Sequence, residues 1–117
     1  MKLLGQAKML RIHFGEDDKW EGGPLYEAIV KRCRELDIAG ATVFRGIEGY
    51  GTSALIHRPH VFRFSSSYSP ILVQVIDTEE KIQKLLPVLD SMISEGLIAM
   101  SDVEVFKYVH QGGESTK

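Results

Sequence analysis

Residues 71–76 read Ile-Leu-Val-Gln-Val-Ile, the clearest strand in the chain, and what lies on its two sides decides the fold. Ile71, Val73 and Val75 fall on one face, Leu72 and Ile76 on the other, with only Gln74 between them. An antiparallel strand with one face in water alternates apolar and polar residues. This strand is apolar on both sides, so its sheet needs two covers.

Downstream, Asp77 and Thr78 offer helix-capping oxygens, and Asp77 with Glu80 has the spacing of a capping box. Ile82, Leu85, Leu86, Leu89 and Ile93 then form the apolar stripe of a helix that Gly96 closes. Pro87 predicts a kink or restart within it, because proline removes an intrahelical hydrogen bond. Val103–Val109 reads as the last strand, before a fraying Gly-Gly tail.

Upstream, Lys8–Phe14 alternates, with Lys8, Leu10, Ile12 and Phe14 facing one way and Met9, Arg11 and His13 the other. Glu16–Gly23 is a polar loop holding the only tryptophan, Trp20. Pro24 suits the first turn of a helix in which Leu25, Ile29, Cys33 and Leu36 recur at helical spacing, up to a terminating Gly40. Ala41–Ile47 reads as another strand. The order β-α-β-β-α-β predicts an α+β, ferredoxin-like fold: a four-stranded antiparallel sheet with both helices on one face.

Two helices cover one face only. The other would expose more than the several hundred Å² of contiguous apolar surface that soluble monomers usually tolerate. Burial stabilises by about 25 cal/mol per Å². We therefore expect copies of the chain to cover that face, in preference to a loop folding back over it.

The 117 residues suit a single domain spanning 1–117. With 14 basic and 16 acidic residues the net charge is −2, which exerts no general pull on nucleic acid or anionic membranes. One cysteine excludes an internal disulfide framework and a cysteine zinc cage. No apolar run is long enough for a leader or a membrane span, so a cytoplasmic protein without direct membrane insertion is expected.

The insertion at about 48–69 exceeds the length beyond which a loop is usually functional. From Arg45 to Arg63 it carries Arg45, Arg58 and Arg63 with His57 and His60 against one carboxylate, Glu48, a local basic patch hidden by the overall charge. Gly46, Gly49 and Gly51 permit sharp turns and close backbone approach to a ligand. Two histidines without a third ligand do not make a metal site, so no metal is assigned. Ser65-Ser66-Ser67 reads as a flexible stretch, Glu16-Asp17-Asp18 as a solvated acidic turn, and Cys33 as a packed helix residue. No Ser-His-Asp set, nucleophile elbow, Walker loop or HExxH occurs, and no catalytic residue is assigned.

Gly22-Gly23-Pro24-Leu25-Tyr26-Glu27, Gly40-Ala41-Thr42-Val43-Phe44-Arg45-Gly46-Ile47, Gly49-Tyr50-Gly51 and Gly96-Leu97-Ile98 together resemble the small PII-like signalling proteins of the nitrogen-regulatory PII superfamily. The resemblance runs from about Ala7 to His110 and implies a ferredoxin-like homotrimer. It also implies adenine nucleotide in clefts between subunits, and a long T-loop that docks on a target protein. Gly40, Ala41 and Thr42 match the segment that meets the adenine, and Gly49-Tyr50-Gly51 the root of the T-loop. Gly96 begins the stretch that corresponds to a phosphate loop. Leu97-Ile98-Ala99-Met100 supply no lysine there, and Tyr108 and His110 stand where the family carries two arginines. ADP or AMP is accordingly easier to accommodate than ATP with magnesium, with Arg45, Arg58 and Arg63 as sources of phosphate charge.

The expected function is regulatory and non-enzymatic. Nucleotide is bound through Gly40, Ala41, Thr42, Arg45, Gly46, Gly49, Tyr50, Gly51, Gly96, Tyr108 and His110, and an unidentified partner protein is met by His57, Arg58, His60 and Arg63. The alternatives are a metal-binding trimer of similar fold, resting on His57 and His60, and an acylphosphatase-like enzyme, disfavoured because Glu16-Asp17-Asp18 repels phosphate. RNA binding is disfavoured because Ile71–Ile76 displays no aromatic residue for base stacking.

Overall fold

The computed structural model describes residues 3–50 and 69–109. Its elements are β1 (Gly5–Gly15), a small hairpin of β2 (Lys19–Trp20) and β3 (Gly23–Pro24), α1 (Leu25–Glu35), β4 (Gly40–Arg45), β5 (Pro70–Asp77), α2 (Glu79–Met92) and β6 (Leu97–Val105). The four long strands form one antiparallel sheet in the order β4-β5-β1-β6. This is the predicted ferredoxin-like sheet, with a two-stranded ribbon added in the acidic loop. The long insertion with His57, Arg58, His60 and Arg63 lies outside the described residues, apart from its ends, and so do Gly51 and His110.

The register sorts every side chain onto a face. Leu10, Ile12, Phe14, Ile71, Val73 and Val75 share one core with Leu25, Ile29 and Cys33 of α1 and Ile82, Leu85, Leu89 and Met92 of α2. Both helices therefore lie on the same side, and β5 contributes its odd-numbered residues to them. Burial raises the Cys33 thiol to about 11, so it packs as an apolar group.

The other face carries rows that run across all four strands. Phe44, Leu72, His13 and Leu97 form one row, Thr42, Gln74, Arg11 and Ala99 the next, and Gly40, Ile76, Met9 and Ser101 the third. Ala7 with Val103 and Gly5 with Val105 continue it. Leu72, Ile76, Met9, Val103 and Val105 are only half-buried, and Phe44 and Leu97 are 45% and 56% exposed. Arg11 and His13 are the only ionisable side chains in these rows. The structure thus has the open, largely apolar face that Ile71–Ile76 predicts.

Several boundaries differ from the sequence reading, for identifiable reasons. α1 ends at Glu35, not at Gly40. The Asp37 N–H donates to the Arg34 carbonyl and the Ile38 N–H to that of Cys33, with Asp37 at φ 61°. That is a Schellman ending with an aspartate where glycine is usual. Gly40 instead opens β4, which stops at Arg45 rather than Ile47. α2 is capped by Thr78, whose hydroxyl accepts from the Lys81 N–H at 3.3 Å, and it runs through Pro87 to Met92 without a restart. Asp77 belongs to β5.

The last strand begins immediately after Gly96 and ends at Val105, opposite Gly5, where β1 itself begins. Among the described residues the expected continuation to Val109 has no partner strand. Gly96 also has a structural role. A Cβ there would sit 2.5 Å from the His13 carbonyl oxygen and 3.3 Å from Ile93 Cγ2.

Gly96→Ala should lower the stability by about 1–3 kcal/mol, as overpacking against backbone does, while Gly23→Ala, with nothing within 4 Å of its Cβ, should change it little. Thermal unfolding of the two variants checks this. Cys33 should resist alkylation in the native protein and react once unfolded. Because its folded value lies above the ordinary one, its contribution to stability is complete below about pH 8.5 and declines above it as the unfolded thiol ionises.

Candidate functional site

The candidate residues fall into three places. The first is the root of the long insertion. Gly46 donates its N–H to the Pro70 carbonyl at 2.7 Å, and Glu16 donates its N–H to the Ser69 carbonyl at 2.9 Å. A Cβ on Gly46 would stand 2.7 Å from Pro70 Cγ, so glycine is what lets the outgoing and returning backbones close together. Gly49 packs over the same proline, with Pro70 Cγ 3.4 Å from its Cβ position. Ile47 and Tyr50 extend into solvent above this root.

Arg45 closes the root on the helix side. Its Nε donates to Glu16 Oε1 at 3.0 Å and its terminal nitrogen to Oε2, a two-pronged fork that raises the guanidinium above its ordinary value. The acidic turn expected to be solvated therefore supplies the partner of a predicted nucleotide-binding arginine. The Glu16 side chain is 16% exposed and that of Arg45 54%.

The second place is the start of β4. Asp77 is fully buried at the end of β5, with one oxygen accepting from the Ala39 N–H at 2.8 Å and the other from the Thr78 N–H at 2.6 Å. It anchors both the approach to β4 and the entry to α2. Lys81 adds a second tie by donating to the Asp37 carbonyl at 2.5 Å. Gly40 and Thr42 face the open side and are exposed, whereas Ala41 packs on the core. Beyond β6 the chain brings Tyr108 back to this corner, where its hydroxyl donates to the Ala39 carbonyl at 3.4 Å. Tyr108 therefore meets the Gly40 segment, although not from within a strand.

The third place is Gly96, beside the opposite edge strand. Gly40, Ala41, Thr42 and Arg45 lie along β4, about 17 Å from end to end at the usual strand rise, with Gly46 just beyond. Gly96 is separated from Arg45 by the width of the sheet, about 14 Å at normal strand spacing. Within one chain, then, Gly40 and Thr42 present the open side of this edge strand and Arg45 its helix side, and Gly96 cannot join them.

Among the described residues, no group of three or more His, Cys, Asp or Glu is placed to hold a metal ion, and His57 and His60 lie outside them. No helix among the described residues is long and apolar enough to cross a membrane. Sequence reasoning missed Asp77 and Glu16 as positioning residues. A carboxylate ending an otherwise apolar strand was the available signal for Asp77; for Glu16 there was none.

With this geometry in place, comparison with known proteins is informative. A "UPF0166 protein" of Aquifex aeolicus (strain VF5) is 43% identical over 100 residues, covering 86% of this chain and 93% of that protein. Among solved structures, a putative PII-like signaling protein from Thermus thermophilus matches with a TM-score of 0.63 at 17% identity, over 91% of this chain and 94% of the other. CPII, a nitrogen regulatory PII-like protein from Thiomonas intermedia K12 solved with ADP, AMP and bicarbonate, matches with a TM-score of 0.60 at 18% identity, over 89% and 92%. At these identities the structures establish a shared PII-like fold. The family model "Uncharacterized ACR, COG1993" (DUF190) matches residues 7–105, and the chain belongs to that family.

Proposed function

We propose that this protein is a regulatory, non-enzymatic module of the PII-like type. Three copies cover one another's open sheet faces, an adenine nucleotide sits in each crevice between copies, and the segment at 48–69 meets a partner protein. The observation that carries the reading is the distribution of the candidate residues. Gly40, Thr42, Arg45 and Gly46 line one edge strand, and Gly96 stands by the other. Such residues come together only when the β6 edge of one copy approaches the β4 edge of the next. The apolar rows around Leu72, Ile76 and Met9 supply the reason for that approach.

The ligand class follows from the same residues and from the ADP and AMP bound by the Thiomonas neighbour. Gly40, Ala41 and Thr42 present backbone for the adenine end, with Tyr108 beside them. Arg45 supplies a guanidinium fork for phosphate, and Gly46, Gly49, Tyr50 and Gly51 bring the insertion's root to it. His110 follows Tyr108 on the same segment. The stretch after Gly96 carries no lysine, so a monophosphate or diphosphate suits the site better than ATP with magnesium. Regulation requires that the nucleotide bind two arrangements of the insertion with different affinity, since a ligand shifts an equilibrium only by that difference. His57, Arg58, His60 and Arg63 would then offer their charge to an acidic partner surface in one arrangement. The reading places the protein in the cytoplasm, where such nucleotides are abundant.

Isothermal calorimetry with ADP, AMP and ATP should show saturable binding, strongest for ADP or AMP; absence of heat and of thermal stabilisation at millimolar nucleotide would contradict the reading. Phe44→Glu places a charge in the first row of the open face without touching the core, so sedimentation should show a folded single copy. An assembly unchanged by it would mean that this face is not the one covered.

A further inference from the structure

Glu16 holds both sides of the insertion's root at once. Its N–H holds Ser69 on the returning side, its carboxylate holds Arg45 on the outgoing side, and Gly46 next to that arginine is bonded to Pro70 next to that serine. Arg45 ends β4 and Glu16 follows β1, two strands that do not pair. Both Phe14 and Arg45 stand opposite Ile71, so the arginine reaches across the whole width of β5 to find the carboxylate. A side chain held that way is committed to one direction. The two ends of the pair also differ: the carboxylate is largely sheltered, while the guanidinium is half in solvent.

We infer that Glu16 is the resident counter-ion of Arg45, occupying in the empty protein the guanidinium fork that a ligand phosphate takes, and so setting both the affinity of the site and its preference for ligand charge. This rests on the nucleotide reading above and extends it to a residue outside the predicted site. A phosphate, though tetrahedral, offers a guanidinium two acceptor oxygens as a carboxylate does, with more negative charge, and a partly exposed ion pair is weak enough to be exchanged. The exchange is a competition, so Glu16 lowers affinity by engaging Arg45 and by repelling the incoming anion. Both effects grow with the negative charge of the ligand. Adenosine, which carries no phosphate, escapes both. Exchange also frees the Glu16 carboxylate from the outgoing end of the insertion while its N–H still holds the returning end, so that occupancy of the site alters one anchor and leaves the other.

The test is a double-mutant cycle of Glu16→Gln and Arg45→Gln, with adenosine, AMP, ADP and ATP titrated into each full-length protein. Glutamine keeps the Ser69 hydrogen bond and the side-chain size; Glu16→Ala is measured alongside it, and thermal unfolding confirms that each variant is folded. The expected result is that Glu16→Gln tightens ADP about 3- to 10-fold and ATP more than ADP, leaves adenosine unchanged, and has a clearly smaller effect once Arg45 is glutamine, when only the repulsion of the anion remains to be relieved. If the wild type binds ADP and Glu16→Gln binds it equally, the nucleotide reading stands and the counter-ion role is wrong. If Glu16→Gln weakens adenosine and ADP alike, Glu16 is scaffolding only, and the inference falls. If neither the wild type nor Glu16→Gln binds any of the four, the nucleotide reading fails and takes this one with it.

Discussion

A sheet that is apolar on both sides, with only enough helix among the described residues to cover one, is the constraint on which the rest depends. The core side is complete: α1 and α2 bury the odd-numbered residues of β5 and Leu10, Ile12 and Phe14 of β1 at almost no exposure. The open side repeats the same chemistry without a lid. Met9, Leu72, Ile76, Val103 and Val105 stand in register across it, and its charge is confined to Arg11 and His13. Within the described residues nothing covers that face. The proposed docking of identical copies would resolve the imbalance, and it would also bring together edges that a single chain holds apart.

The candidate site is arranged around that geometry by two carboxylates. Asp77, buried at the end of β5, fixes Ala39 and so the starting point of β4, where Gly40 and Thr42 face outward. Glu16, just past the end of β1, holds the finishing point of β4 through Arg45 and the returning insertion through Ser69. The edge strand that carries Gly40, Ala41, Thr42 and Arg45 is thereby fastened at both ends to the central strands. Gly46 and Gly96 are required for a different reason, since each lies where neighbouring atoms leave no room for a Cβ. Their presence in the sequence thus has a structural explanation that stands independently of any ligand.

What could be read from the sequence was what local periodicity encodes. Ile71–Ile76 revealed its two apolar faces directly, Lys8–Phe14 its alternation, and the stripe from Ile82 to Leu89 its helix, so element order and sheet class followed. Features set by contacts between distant residues stayed hidden. The end of α1 depends on Asp37 adopting a conformation that glycine would advertise more plainly. The end of β6 depends on where β1 begins. The Arg45–Glu16 pair joins residues 29 positions apart across an intervening strand, and no spacing rule reports it. Tyr108 falls within the expected last strand, which stops at Val105, yet its backward course still brings it beside Gly40. The glycines of the insertion were legible as residue types, but which neighbour each one accommodates was not.

The covered face is the claim from which the crevices, the ligand and the regulatory role all follow, and the solution mass tests it most directly. Light scattering on the purified protein should return three times the 13.1 kDa of the chain at micromolar concentration. A mass of 13.1 kDa that persists on concentration, with the protein folded and its open sheet face in water, would contradict the account at its base.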